Sequence, residues 1–223
     1  LYWPYTSYTD PTGDCVTYNY ACTFIEQGNT ALRPERSRSN EIGLKIDGPV
    51  KYQFTLFDTH VTDLINWDFT TSGSGASWTE TWFPNNIGSA SMRGLEASAS
   101  WRGMGWQWRL SGTRLLATDD STGAPLDRRP GQSAALQVSR RWGSHNISAS
   151  WQASSSRYEG QGTRRIPGFA RVDVADTVRL SQPWSLRVAV ENLFDRTYAL
   201  STSSGRAYAT PGRTLMATLR YTF

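Results

Sequence analysis

Leu215-Met216-Ala217-Thr218-Leu219-Arg220-Tyr221-Thr222-Phe223 closes the chain with strict alternation. Leu215, Ala217, Leu219, Tyr221 and Phe223 share one parity, and Met216, Thr218, Arg220 and Thr222 the other. Successive side chains of an extended strand point to opposite faces, so this segment carries one apolar and one polar face. A helix would scatter the same apolar residues around its axis. The fold then turns on what the apolar face meets.

The same period recurs back along the chain. Trp184, Leu186, Val188 and Val190 alternate with Ser185, Arg187, Ala189 and Glu191 after the turn Ser181-Gln182-Pro183. Before it, Val172, Val174, Val178 and Leu180 share a face with Asp176, which the alternation does not explain. Ile147 to Ala153, Leu136 to Trp142, Trp106 to Leu110, Leu95 to Trp101, Tyr52 to Leu56 and Ile42 to Ile46 repeat the pattern. About nine strands result, each near the roughly nine to eleven residues that a tilted membrane strand requires. Connections at Gly48, Gly103, Gly143 and Pro183 are short. Those at Thr71 to Asn86, Thr118 to Gly131, Tyr158 to Pro167 and Leu200 to Gly212 are expected to be long polar loops. Short turns on one side and long loops on the other are the layout of a transmembrane antiparallel β-barrel.

Composition narrows the alternatives. The 223 residues include 10 Trp, 10 Tyr and 8 Phe, enough to bury surface, which argues against disorder. No apolar run approaches the roughly 20 residues of a spanning helix, and Leu1-Tyr2-Trp3-Pro4 lacks the basic and apolar regions of a signal peptide. The pI of about 9.2 comes from scattered arginines without a basic run, so nucleic acid is not expected as a partner. Trp101, Trp106, Trp142, Trp184, Tyr221 and Phe223 gather beside the short turns, as an interfacial girdle does. The opposite face carries Glu96, Arg102, Arg109, Gln137, Gln152, Arg187, Glu191 and Arg220, poor filling for a dry soluble sandwich and suited to a wet or plugged lumen. Cys15 and Cys22, seven positions apart with no metal-ligand partners nearby, read as a short-loop disulfide of an oxidising compartment.

These residues resemble a family. Gly28-Asn29-Thr30-Ala31-Leu32-Arg33-Pro34-Glu35-Arg36-Ser37 with Asn40-Glu41-Ile42-Gly43-Leu44, then Val61-Thr62-Asp63-Leu64-Ile65, then Asn86-Ile87-Gly88-Ser89-Ala90-Ser91-Met92-Arg93-Gly94-Leu95-Glu96-Ala97 are similar to segments of TonB-dependent outer-membrane receptors. So are Glu191-Asn192-Leu193-Phe194-Asp195-Arg196-Thr197-Tyr198, Pro211-Gly212-Arg213-Thr214 and the closing strand. Leu126-Asp127-Arg128-Arg129-Pro130 and the compact loops look most like cobalamin and ferric-siderophore receptors. The resemblance implies a Gram-negative outer-membrane importer, with a barrel of about 22 strands closed around an N-terminal plug. It also implies a TonB box, coupling to the TonB-ExbB-ExbD system, and assembly by the barrel-assembly machinery reading Leu219, Tyr221 and Phe223. Plug and TonB box are expected upstream of Leu1, so residues 1–37 read as an extracellular loop and 38–223 as strands of the C-terminal barrel portion.

A ligand vestibule is expected among the long loops. Trp3, Tyr5, Tyr18, Tyr20, Trp82, Phe83, Tyr158 and Tyr208 supply aromatic faces, and Arg128, Arg129, Arg157 and Arg206 supply guanidinium forks. Together they suit a planar, often anionic chelate. The plainer alternative assigns the aromatics to the outer girdle and the arginines to lipopolysaccharide phosphates. Asp119, Asp120 and Asp127 offer oxygen ligands of the kind Ca2+ takes, or are simply a solvated acidic loop; no intrinsic cofactor is expected. A passive porin-like channel needs no plug and is the alternative function. An outer-membrane hydrolase would have to use His60 or His145, the two histidines, which are expected near opposite membrane faces.

Overall fold

The structure is a computed structural model and describes residues 6–9, 21–74, 77–160, 162–203 and 206–223. In chain order the strands are β1 (Thr6–Thr9), β2 (Ala21–Glu26), β3 (Arg36–Ile46), β4 (Val50–Ser74), β5 (Ser77–Gly103), β6 (Trp106–Asp119), β7 (Gln132–Trp142) and β8 (His145–Ser154). Then follow β9 (Arg157–Glu159), β10 (Arg164–Ile166), β11 (Phe169–Arg179), β12 (Trp184–Glu191), β13 (Ala199–Ser203), β14 (Arg206–Ala209) and β15 (Thr214–Tyr221). Two compact units emerge: Ser39–Thr59, Ser91–Thr118 and Gly123–Phe223 form the larger, and Leu1–Arg38, His60–Ala90 and Asp119–Thr122 the smaller.

In the larger unit all or part of nine strands follow the order β3-β4-β5-β6-β7-β8-β11-β12-β15, the meander expected of an up-and-down wall. Register shows the two faces. Trp108, Val138, Ala149, Val174, Val190 and Leu215 lie opposite one another across six strands. One position over, Arg109, Gln137, Ser150 and Asp173 make the matching polar row. The apolar face has no core behind it. Ile42 is 71% exposed, Leu215 72% and Leu219 58%, and the buried apolar residues among those described are only Ala90, Ala117, Ile166 and Ala189. A sandwich would have buried that face against a second sheet; left bare over nine strands, it is a surface made for lipid. The polar face bounds an open concavity of about 870 Å³ with Lys51, Arg102, Arg109, Gln137, Arg187 and Glu191 in its lining.

The short turns form where expected. Met104 and Gly105 connect β5 to β6 with φ of +53° and +77°, the left-handed pair that matches strand twist in a two-residue hairpin. Beside the turns, Trp101 stacks on Trp108 at 5.7 Å, Trp184 meets Tyr221 edge-on at 4.9 Å, and the Arg140 guanidinium lies 5.7 Å from the Trp106 ring centre. Asp176 is accounted for by a partner. It sits opposite Ile147 and Val188, and its Oδ2 lies 2.6 Å from His145 Nδ1.

Four of the expected loops hold strands. Residues 71–86 are mostly strand, because β4 runs to Ser74 and β5 starts at Ser77. The Ser/Gly content suggests a loop, but the threonines and aromatics there are β-formers, and Phe69 stacks on Trp82 at 4.9 Å. The alternation is lost to the eye at Asp63, whose φ of +57° breaks the strand's regular geometry. The connections at 158–167 and 200–212 each hold a hairpin, β9–β10 and β13–β14. Residues 1–37, expected as loop, contribute β1, antiparallel to β2, and β2, parallel to the start of β5.

Candidate functional site

In the smaller unit, the motif residues act as staples. Asn86 Nδ2 donates to the carbonyls of Arg33 and Asp63 at 2.9 and 2.6 Å, while Asn86 Oδ1 accepts from Arg33 N at 2.8 Å. The Arg33 guanidinium meets Asp63 at 2.6 Å, Glu35 accepts from Ile65 N at 2.8 Å, and Asn29 Nδ2 donates to Pro84 O at 3.0 Å. Segment 29–35 is thereby fixed to the irregular part of β4 and to β5. Trp82 and Phe83 are half-buried here, Trp82 against Phe69.

In the larger unit, three long connections converge on one carboxylate. Glu159 is buried. Its Oε1 accepts from Arg128 Nε at 2.8 Å, and its Oε2 accepts from Thr202 N at 2.7 Å and from the Thr202 hydroxyl. The Thr202 hydroxyl, assisted by Arg128 and opposed by burial, holds the Glu159 carboxyl below the usual glutamate range. Around it, Arg128 N donates to Tyr158 O at 2.8 Å, Gly160 N to Asp127 Oδ2 at 3.0 Å, and Arg164 Nη1 to Thr202 Oγ1 at 3.3 Å. Residues 127–128 and the two hairpins are therefore bonded to each other, and the bonds between the hairpins run through Glu159 and Thr202, which no sequence signal singles out.

A second knot lies at the far end of β12. Asn192, buried with φ of +52°, donates from N to Asp173 Oδ1 at 2.8 Å and from Nδ2 to Arg196 O at 2.9 Å, and accepts from Arg196 N at 2.9 Å. Asp195 Oδ1 accepts from Arg213 N at 2.7 Å. Asx side chains close such corners by standing in for backbone partners, so the Glu191 to Tyr198 motif is legible as architecture.

Among the vestibule residues, Arg129, Arg206 and Tyr208 are exposed, and Tyr158 and Arg128 belong to the Glu159 cluster. Arg157 is turned away from solvent. It is buried, donates to Ser154 Oγ at 3.2 Å, and lies over Phe169 at 5.6 Å; alternation along β9 turns it inward with Glu159. Trp3, Tyr5, Tyr18 and Tyr20 lie outside the described residues, as does Cys15, and with it the Cys15–Cys22 bridge. The three acidic loop residues are spoken for separately. Asp119 accepts from Ser121 N, Ser121 Oγ and Thr122 N at 2.8, 2.5 and 3.0 Å. Asp120 pairs with His60 at 3.3 Å, and Asp127 binds Gly160. Among the described residues no three potential ligands gather as a metal would need. Leu219 and Tyr221 lie on β15, and Tyr221 meets the fully exposed Phe223 edge-on at 5.0 Å.

Comparison with known proteins agrees with this geometry. Residues 2–193 match the family model "TonB dependent receptor-like, beta-barrel". The chain is 28% identical over 198 residues to a vitamin B12 transporter, BtuB, of Vibrio vulnificus, covering 88% of this chain and 31% of the relative. It is 25% identical over 206 residues to BtuB of Photobacterium profundum, covering 89% and 32%. The chain thus spans about a third of the length of the relatives it matches. Its fold is shared with the ferric enterobactin receptor PfeA of Pseudomonas aeruginosa (TM-score 0.73, 21% identity, 90% of this chain and 33% of that one). It is shared likewise with the siderophore receptor PirA of Acinetobacter baumannii (TM-score 0.72, 22% identity, 92% and 34%). With a bare apolar wall, a polar inner row and a family match over most of its length, this chain belongs to the TonB-dependent receptor β-barrel family.

Proposed function

We propose that this chain is the C-terminal barrel portion of a receptor in a Gram-negative outer membrane, which captures cobalamin or a ferric siderophore and imports it with energy delivered through TonB, ExbB and ExbD. The wall of nine paired strands, apolar outside and polar inside, is the observation that carries the reading. The names of the sequence relatives support cobalamin; the aromatic and guanidinium groups of the long hairpins support a chelate with anionic character. Exposed Arg129, Arg164, Arg165 and Arg206 stand against two acids, Asp127 and Glu159, that are already engaged. The apolar wall contacts outer-membrane lipid, lipopolysaccharide included, and the protein carries cargo without chemical conversion of it.

Uptake of radiolabelled cobalamin and of several ferric siderophores by cells bearing the intact receptor, with and without TonB, tests this reading. One of these cargoes is expected to accumulate only when TonB is present. Accumulation that ignores TonB marks a passive channel instead, and no uptake of any cargo overturns the proposal.

A further inference from the structure

Resting on that reading, we infer that Glu159 is the positioning residue of the ligand-binding loops, a buried latch that sets two hairpins and a third connection as one body. Alternation gives the latch its purpose. In β9–β10, Glu159 lies opposite Arg164 and Tyr158 opposite Arg165, so Glu159 and Tyr158 are on different faces of the hairpin. In β13–β14, Thr202 lies opposite Ala207, and Arg206 and Tyr208 take the other parity. The Glu159–Thr202 bonds therefore join the inner faces of the two hairpins and leave Tyr158, Arg165, Arg206 and Tyr208 on the outer ones. Those four include three residues that the sequence places in the vestibule. Arg128 adds the third connection through its side chain to Glu159 and its backbone to Tyr158.

A carboxylate is suited to the task because it accepts from three donors at once. Glutamine would keep the shape but supply a single acceptor oxygen, turning an amide donor toward donors. Leaving such buried groups unmatched costs more than the bonds themselves contribute. The latch also acts before ligand arrives: fixed loops lose less conformational freedom on binding.

The test uses the intact receptor in outer-membrane vesicles, with E159Q, T202V and the conservative T202S. Hydrogen–deuterium exchange is read over residues 157–166 and 199–209, and affinity is read with radiolabelled cobalamin and ferric siderophores. E159Q and T202V are each expected to speed exchange in both hairpins and to weaken capture by about tenfold, while T202S behaves as the unmodified protein. Faster exchange confined to the substituted hairpin, or unchanged affinity in the face of loosened hairpins, overturns the proposal. Should the unmodified receptor capture neither probe, the functional reading falls, and the exchange pattern still decides whether Glu159 couples the hairpins.

Discussion

Asn192 shows how one side chain can close a corner. Buried and left-handed, Asn192 bonds the Arg196 backbone through its amide, while its own N–H donates to Asp173. Asn192→Ala would remove the acceptor of Arg196 N and the donor to Arg196 O, a loss of about 2 kcal/mol. Urea unfolding of the receptor in liposomes is expected to show a lower midpoint; an unchanged midpoint means the corner is held elsewhere. Glu159 gives a pH signature. Its carboxyl titrates below its ordinary value, so the stability it confers on the loops is present above the usual glutamate range and lost as pH falls through the depressed value. Exchange in 157–166, corrected for intrinsic rate, is expected to stay flat from neutral pH down to that range and to rise only below it. A rise near neutrality would mean that Glu159 does not hold the loops. Neither residue's role is readable in full from the sequence. Asn192 lies in a recognisable motif, whereas Glu159 is one acid among nineteen Asp and Glu, and its partner Thr202 is 43 positions away.

Strands are legible wherever alternation is unbroken, as in β15, β12, β8 and β7, because period two leaves one reading of which residues share a face. They are missed where local geometry interrupts the period, at Asp63, and where short hairpins in the long connections are held by distant partners instead of by an apolar face. The same logic fixes the response to substitution. Leu219→Arg places a charge on the lipid-facing row of β15, and Thr218→Arg places it on the inner row. The first is expected to destabilise the folded barrel by about 2–4 kcal/mol if it lies near the bilayer midplane, and the second by much less. Equal effects at both positions, measured by unfolding from liposomes, would contradict the assignment of faces.

At the scale of the molecule, stability and function share one surface. With few buried apolar residues of its own among those described, the wall on the proposed reading depends on lipid outside and on whatever fills its polar interior, and the bonded hairpins are where that reading puts capture. The family is visible in the sequence because its motifs are staples and corners with fixed chemistry. The cargo is not, since loop residues such as Arg157 are drawn into architecture and others are left exposed according to pairings that spacing alone does not disclose.

Cysteine scanning along β15 in the intact, membrane-embedded receptor addresses the lipid-facing wall most directly. Cysteines replacing Leu215, Ala217 and Leu219 are expected to react with a lipid-dissolved maleimide and resist a water-soluble one, and those replacing Met216, Thr218 and Arg220 to do the reverse. Uniform labelling of all six by the water-soluble reagent, or the opposite alternation, would contradict it.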